Sequence, residues 1–185
     1  SVVYEWKWLN FTFEDTASYE NYYNNEYYKH CMLAGVKLST DGRIFVSVPR
    51  WFIGVPATLS VLDTSHSPPL LKPYPSWEGN KIGDPSKLQS VLGFEIDPFN
   101  RLWVLDQGKI NNQPAIPGSV KLQIFDLATD TLIREYIFSE SEASLANSFL
   151  NDIVIDVKRS FAYISDTGIG SVPLHGGILV EQSYE

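Results

Sequence analysis

The sequence predicts an all-β fold, and three observations support this prediction. Short runs of β-branched and aromatic residues alternate with turn signals along most of the chain. A block with the pattern of strand, turn and strand recurs about every 58 residues. Helical periodicity is weak throughout, and one short helical turn is expected at 140–148. Repetition of a strand-rich unit is typical of a fold assembled from several similar sheets.

The repeated block is predicted to form a β-hairpin. Residues 35–48 align without gaps on residues 93–106, and a third copy covers residues 152–166. Positions 41–42 are Asp-Gly, which is a signal for a tight turn with positive φ. Positions 97–100 are Asp-Pro-Phe-Asn, which place proline and asparagine where turns favour them.

Two further strands are expected after each hairpin. In the second copy, residues 121–127 and 131–138 alternate apolar and polar side chains on either side of a turn. In the first copy, residues 58–63 take the place of the third strand, and residues 68–71 begin the fourth. Four antiparallel strands in each repeat are typical of the blades of a β-propeller.

The length of the chain predicts only part of a propeller. Propellers close with typically four to eight blades, whereas a unit of about 58 residues fits about three times into 185 residues. We interpret residues 1–185 as a partial β-propeller with four parts: an N-terminal strand and aromatic loop at 1–33, blade-like units at 34–90 and 91–148, and an incomplete blade with an atypical tail at 149–185. Further sequence, or association with another chain, would cover the open blade edges.

Charge and cysteine content exclude several classes of partner and site. The chain has 22 acidic and 14 basic residues, and its net charge of -8 argues against binding to nucleic acid or to an anionic membrane. No run approaches the roughly 18 consecutive apolar residues that a membrane helix needs. Cys31 is the sole cysteine, so no internal disulfide forms, and a buried free thiol is favoured over pairing outside this chain.

The common catalytic and cofactor motifs are missing from the sequence. It contains no nucleophile elbow, phosphate loop, dinucleotide fingerprint or His-Glu-x-x-His pair. The histidines His30, His66 and His175 are not spaced as ligands of one metal ion. We therefore predict that the chain holds neither a cofactor nor a metal.

Several sequence blocks, in order from residue 3 to about residue 168, together match one family pattern. They are Val3–Lys7, Pro49–Leu59, Pro73–Pro75, Arg101–Gly108, and Leu150–Asp156 with Tyr163–Asp166. With these blocks in this order, the chain resembles the major royal jelly protein/yellow family. The resemblance implies a propeller of six blades in the full-length protein, secretion to the extracellular space and frequent glycosylation. Members of the family act in insect pigmentation, occur in royal jelly or bind biogenic amines in fly saliva, and some are linked to dopachrome conversion.

Two functions follow from this resemblance. The favoured one is a secreted propeller that binds a small amine or aromatic ligand at its central channel, and the acidic net charge suits a cationic ligand. The alternative is a dopachrome-converting enzyme of melanin synthesis, in which channel carboxylates move a proton during tautomerisation. Asn10-Phe11-Thr12 is an N-glycosylation sequon, which matters in a secretory context.

Asn151 and Asp152 are the first candidates for ligand binding. They open the predicted inner strand of the third unit, and an amide beside a carboxylate can bind a cation or a protonated amine. The alternative role, which is common for both residue types, is to order the preceding loop through hydrogen bonds from side chain to backbone.

Four further residues are candidates because they lie at predicted strand ends. Asp106 and Asp166 end the second strand of successive units, and their repetition favours a loop-anchoring role over catalysis. Arg50 and Trp51 are candidates for a cation–π platform or a ligand wall. Burial of Trp51 in the core is the favoured alternative, since that is the usual place of a tryptophan beside a strand end.

Overall fold

The computed structural model describes residues 2–168 and the backbone of residues 177–181. These residues form three antiparallel sheets, which confirm the predicted all-β class and the architecture of a partial β-propeller. The first sheet contains β1 (Gly35–Leu38), β2 (Ile44–Ser47), β3 (Leu59–Asp63) and β4 (Leu70–Pro73). The second contains β5 (Val91–Ile96), β6 (Arg101–Asp106), β7 (Lys121–Asp126) and β8 (Thr131–Ile137). The third contains β9 (Leu150–Asp156), β10 (Phe161–Asp166) and β11 (Gly177–Glu181).

The repeated hairpins join β1 to β2, β5 to β6 and β9 to β10, as the sequence predicts. Each turn contains a residue in the left-handed region: Gly42 with φ of 85°, Asn100 with 59° and Ser160 with 61°. Glycine and asparagine adopt this conformation at low cost. In the second hairpin the Asp97 carboxylate accepts hydrogen bonds from the backbone N–H groups of Phe99 and Arg101, at 2.9 and 3.1 Å. The turn chemistry in the sequence therefore sets the hairpin positions. The atypical tail lies outside the described residues, apart from the backbone of β11.

The three sheets stack side by side with β1, β5 and β9 as neighbours. Gly93 on β5 is required by this arrangement, because a Cβ atom there would lie 2.6 Å from the carbonyl oxygen of Asn151 and 2.7 Å from the Cα atom of Asp152. The backbones of adjacent inner strands therefore approach each other more closely than a side chain would allow.

Apolar side chains fill the two spaces between neighbouring sheets. Phe45 and Leu59 of the first sheet pack with Phe94 and Leu102 of the second. On the other face of the second sheet, a cluster that joins it to the third sheet is formed chiefly by Trp103, Leu105, Leu122, Ile124, Leu150, Ile153 and Ile164. The second sheet is thus covered on both faces, as the middle sheet of a stack must be.

The N-terminal segment contains a helix that the sequence analysis did not predict, α1 (Thr16–Asn24). Asp15 caps it, because its carboxylate accepts from the N–H of Ser18 at 2.7 Å. Tyr22 is the one buried residue of α1, so the helix has no apolar stripe for a periodicity search to detect. The strand expected in this segment is reduced to a single parallel bridge between Phe11 and Leu71 of β4.

Ring contacts hold this segment against the first sheet. The Tyr22 ring lies 5.8 Å from the ring of Phe11 and 5.2 Å from that of Phe13, and Phe13 stacks on Trp77 at 5.5 Å. Two short 3-10 helices, Tyr27–His30 and Glu78–Asn80, complete the packing. None of the described helices has the length and apolar character needed to cross a membrane.

Residues 140–148 form separate turns rather than a continuous helix. Two of them are closed by hydrogen bonds of the helical type, from Ala143 N to Ser139 O at 2.9 Å and from Ser148 N to Ser144 O at 3.1 Å. The weak helical pattern in this stretch therefore produces local turns that end before a helix propagates.

Both ends of the stack still expose apolar side chains. The N-terminal segment covers the outer strands of the first sheet, but Val36 and Leu38 on β1 remain 66% and 68% exposed. At the other end, Val154 on β9 and Tyr163 on β10 are 59% and 46% exposed. Faces of this kind are covered by neighbouring blades in a closed propeller.

Cys31 is a free thiol near the end of the N-terminal segment, and it packs against the cluster that joins this segment to the first sheet. Burial raises the pKa of this thiol to about 11. Because the thiolate is the reactive species, we expect alkylation by iodoacetamide near pH 8 to be on the order of a hundredfold slower in the folded protein than in denaturant. Mass spectrometry of timed samples measures both rates. Equal rates in the two states would contradict the burial of Cys31.

Candidate functional site

A cavity of about 560 Å³ lies at the end of the sheets where the inner strands β5 and β9 begin. Its walls are loops that follow β2, β6 and β10, together with the loop that precedes β9. The lining residues among those that the structure describes are Trp51, Gln107, Lys109, Asn112, Ala146, Asn147, Phe149, Thr167 and Gly168. We call this space the mouth cavity. Loops of all three sheets meet there, and loops on a rigid scaffold are where propeller function concentrates.

Trp51 lines the mouth cavity and carries a hydrogen-bond donor without a partner. Its indole Nε1 is shielded from solvent and has no hydrogen-bond partner among the described residues. The loop that follows β6 holds its backbone, because Asn112 Nδ2 donates to the carbonyl of Trp51 at 3.4 Å and Asn111 N donates to Arg50 O at 2.8 Å. A buried indole N–H normally has a partner, so this donor is an exception among the described residues.

Gln107 also lines the mouth cavity and carries a hydrogen-bond acceptor without a partner. The residue is 2% exposed, and its Oε1 has no hydrogen-bond partner among the described residues. Its backbone N–H donates to Ser90 O at 3.1 Å, and its Nε2 donates weakly to Ser90 Oγ at 3.4 Å. An unsatisfied buried acceptor costs about 1–3 kcal/mol.

Lys109 places a positive charge in the cavity wall. It is half-buried, and its Nζ donates to the carbonyl of Ala146 at 2.7 Å. Burial lowers the pKa of Lys109, while the negative charge of Asp166 acts in the opposite direction. The described lining residues include no carboxylate. Lys109 is therefore the one charged residue among the described lining residues.

The far wall is built by close contact between two loops. Thr167 N donates to Phe149 O at 2.9 Å. Gly168 lies so near the loop before β9 that a Cβ atom there would be 2.0 Å from Asn147 O. This packing fixes Phe149 as an apolar wall of the cavity.

Arg50 precedes Trp51 but points into the protein. It is 1% exposed, and burial lowers the pKa of its guanidinium to about 10, with Asp106 opposing the shift. The guanidinium donates five hydrogen bonds to backbone carbonyls, those of Val55, Pro56, Asn80, Leu88 and Gln89. Its donors are committed to the protein, so Arg50 supports the loop that carries Trp51.

Asp106 is fully buried and also committed to the protein. Its carboxylate accepts from the backbone N–H groups of Gln89, Ser90 and Gly108 at 2.7–2.9 Å. The same carboxylate forms an ion pair with Lys121, whose Nζ lies 3.1 Å from Oδ2 and is likewise buried. These bonds join the loop before β5 to the loop after β6, directly beneath Gln107.

Asp166 makes equivalent bonds in the third sheet. Its Oδ1 accepts from Phe149 N at 2.7 Å and from Gly168 N at 2.9 Å. Asp106 and Asp166 thus each tie the loop that follows the second strand to the loop that precedes the first strand. Neither carboxylate lines the cavity, but the two partners of Asp166, Phe149 and Gly168, are residues of its wall.

Asn151 and Asp152 begin the inner strand β9, just after the wall residue Phe149. Asn151 is half-buried and Asp152 is exposed. The carboxylate of Asp152 accepts from the N–H of Ile153 at 2.9 Å, and its backbone N–H donates to Ser165 Oγ at 3.1 Å. Neither residue lines the mouth cavity.

Asn10 lies far along the chain from the cavity, in the segment that covers the first sheet. It is half-buried, its Oδ1 accepts from Phe11 N at 2.9 Å, and its carbonyl accepts from Leu71 N at 2.8 Å.

A second cavity of about 310 Å³ lies between α1 and the first sheet, with the rings of Phe13 and Trp77 in its wall. None of its described lining residues has a buried, unsatisfied polar side chain, which favours the mouth cavity as the site.

Of the residues proposed from sequence, Trp51 is the one that lines the mouth cavity. Sequence reasoning missed Gln107, Lys109 and Phe149. A usable signal existed for Gln107, because it follows Asp106 in the same way that Thr167 follows the equivalent Asp166. No repeat marks Lys109 or Phe149, which reach the cavity only through the packing of their loops.

Comparison with known proteins identifies the family. A family model described as Major royal jelly protein matches residues 89–174. Protein yellow of Drosophila subobscura is 36% identical over 175 residues, which cover 88% of this chain and 30% of that protein. The chain belongs to the yellow/major royal jelly protein family. Protein yellow of Drosophila melanogaster is 33% identical over 175 residues, which cover 88% of this chain and 32% of that protein.

Membership of the yellow family confirms the resemblance found in the sequence. The chain spans about a third of the length of these yellow proteins. The residues that the family model matches contain every described lining residue of the mouth cavity except Trp51. The cavity is therefore built largely from the segment that carries the family pattern.

Proposed function

We propose that this chain contributes a binding site for a small amine or aromatic ligand to a secreted protein of the yellow family. The observation that carries the proposal is the lining of the mouth cavity, which combines the aromatic side chains of Trp51 and Phe149 with the polar side chains of Gln107, Lys109 and Asn112.

The shape and lining of the cavity suit a small ligand with a ring. Its volume of about 560 Å³ lies in the range of small-molecule sites, which is about 300–1,000 Å³. Trp51 and Phe149 supply aromatic surface for a ring. Gln107, Lys109 and Asn112 supply polar side chains in the wall for a hydroxyl or amine group of the ligand.

The charges of the protein affect amine ligands and neutral aromatic ligands differently. The net charge of -8 draws cations toward the protein from a distance. At the cavity itself, Lys109 lines the wall and the described lining has no carboxylate to receive an ammonium group. The aromatic part of the ligand is therefore the part that the cavity favours most.

Trp51→Phe tests the proposal because it replaces the indole in the cavity wall by a smaller ring. We expect a hydroxylated aromatic ligand such as dopamine or serotonin to bind about five- to tenfold more weakly, since part of the contact between the rings is lost. Isothermal titration calorimetry on the native protein measures this change. Trp8→Phe is the matched control, because Trp8 is exposed and packs on Tyr28, away from the cavity. Equal weakening by both substitutions, or no binding to the parent protein, would refute the proposal.

The enzyme alternative is tested by the same preparation. If the protein decolourises dopachrome and Asp152→Asn abolishes this activity, the function is catalysis rather than ligand binding. The exposed carboxylate of Asp152 at the start of β9 is the group that such a reaction would use. We also propose that the protein is secreted and that it carries a glycan on Asn10, the half-buried asparagine of the sequon.

A further inference from the structure

We infer that Tyr19 and Tyr23 form a site of oxidative cross-linking, where a peroxidase with hydrogen peroxide joins the two rings as dityrosine. Both residues lie on α1, four positions apart, and side chains at this spacing are neighbours on one side of a helix. Neither residue lines the mouth cavity, so the modification does not depend on a ligand there. The site belongs to the segment that covers the first sheet.

The two rings are in contact with each other and open to solvent. Their centroids lie 5.9 Å apart, and their planes differ by 20°. Tyr19 is 40% exposed and Tyr23 is 57% exposed. Exposed side chains change rotamer within picoseconds to nanoseconds, so the ring edges of two such neighbours meet often while the helix stays folded. Exposure also gives an oxidising enzyme access to both phenol groups.

Tyr19 and Tyr23 are the one pair of exposed tyrosines in contact within the described part of the chain. The other exposed tyrosines there each lie beside an aromatic residue of a different type. These pairs are Tyr4 with Trp6, Tyr136 with Phe138 and Tyr163 with Phe161. None of them can form dityrosine, because that product needs two phenol rings.

Tyr28 is the competing partner, because its ring centroid lies 5.5 Å from that of Tyr23. The Tyr28 side chain is half-buried, and its ring also contacts Trp8 at 5.1 Å and Tyr22 at 6.4 Å. A ring packed against several others rotates less freely and is less accessible than an exposed ring. Tyr19 is therefore the expected partner of Tyr23.

The reaction takes one electron and one proton from each phenol and leaves two phenoxyl radicals. These radicals combine through a new carbon–carbon bond between the ring positions next to the hydroxyl-bearing carbons. The hydrogen on each of these ring positions then moves to the neighbouring oxygen, which restores both phenols. Hydrogen peroxide accepts the two electrons and the two protons and becomes two water molecules, so the step is balanced.

A bond between these rings would hold α1 in its helical form. Tyr22 is the one buried residue of this helix, so few contacts oppose its local unfolding. A cross-link over one helical turn reduces the freedom of the unfolded segment, as a disulfide does. We expect amide hydrogen exchange in α1 to slow after oxidation, while exchange in the second sheet stays the same. Unchanged exchange in α1 would contradict this effect of the link.

Brief oxidation of the native protein with horseradish peroxidase and hydrogen peroxide tests the inference. Cleavage after glutamate by Glu-C protease then separates residues 15–20, which contain Tyr19, from residues 21–26, which contain Tyr23. We expect mass spectrometry to find these two fragments joined, with the loss of two hydrogen atoms, in a protein that remains a single chain on a denaturing gel. The same oxidation in urea should give a lower yield of the joined fragments, because α1 is then unfolded.

Three substitutions identify the residues that react. Tyr19→Phe and Tyr23→Phe should each abolish the joined fragments, since each removes one phenol. Tyr136→Phe is the matched control, because Tyr136 is exposed and lies beside Phe138, and it should leave the yield unchanged. Tyr22 lies in the same fragment as Tyr23, so joined fragments that persist in Tyr23→Phe would overturn the inference. Their absence from the oxidised parent protein, or an equal yield in urea, would overturn it as well.

Discussion

Replacing Asp106 with alanine is expected to lower the free energy of unfolding by about 3–5 kcal/mol. The substitution leaves the buried ammonium of Lys121 without its counter-charge, because both side chains are fully shielded from solvent. It also removes the acceptor of three backbone N–H groups, those of Gln89, Ser90 and Gly108. Chemical denaturation followed by circular dichroism measures the loss.

The equivalent residue Asp166 provides a graded comparison for this result. It accepts from two backbone N–H groups and is half-buried, so Asp166→Ala should cost less than Asp106→Ala. The double variant Asp106→Ala with Lys121→Met removes both charges of the pair and should be less destabilised than the sum of the single variants. A loss below about 1 kcal/mol in Asp106→Ala would show that the buried pair is not important for stability.

Replacing Arg50 with methionine is expected to cost about 3–5 kcal/mol. Two effects oppose each other, since the substitution relieves the burial of a charge but leaves five backbone carbonyls without their donor. Each unsatisfied buried carbonyl costs about 1–3 kcal/mol, so the loss of the hydrogen bonds is the larger effect. The loop that carries Trp51 should loosen at the same time.

Two further substitutions define how Arg50 acts. Arg50→Lys keeps the charge but offers at most three donors from one point, so we expect an intermediate loss of stability. Arg159→Met is the control, because Arg159 is an exposed turn residue whose ion pair with Asp156 is worth little. If ligand binding fell sharply in Arg50→Lys while stability stayed at the parent value, Arg50 would act on the ligand rather than on the fold.

The fold was largely predictable from sequence because its signals are local and repeated. Asp41-Gly42 and Asn100 mark turns by their own conformational preferences, and the repeat interval places the same hairpin three times. The helix α1 was missed because its stability comes from an N-cap and from ring contacts with Phe11 and Phe13. Those contacts join residues of separate segments that share no regular spacing, so a search for helical periodicity does not detect them.

The candidate site was less predictable, since its residues meet only when separate loops pack together. The sequence by itself determined the all-β class, the repeated sheets, the family and the placing of Asp106 and Asp166 at matching strand ends. The tertiary structure decided that Arg50 is buried, and that Trp51, Gln107 and Lys109 share one cavity. Turn and strand preferences depend on neighbouring residues, whereas burial and unsatisfied hydrogen bonds depend on what distant segments place around a side chain.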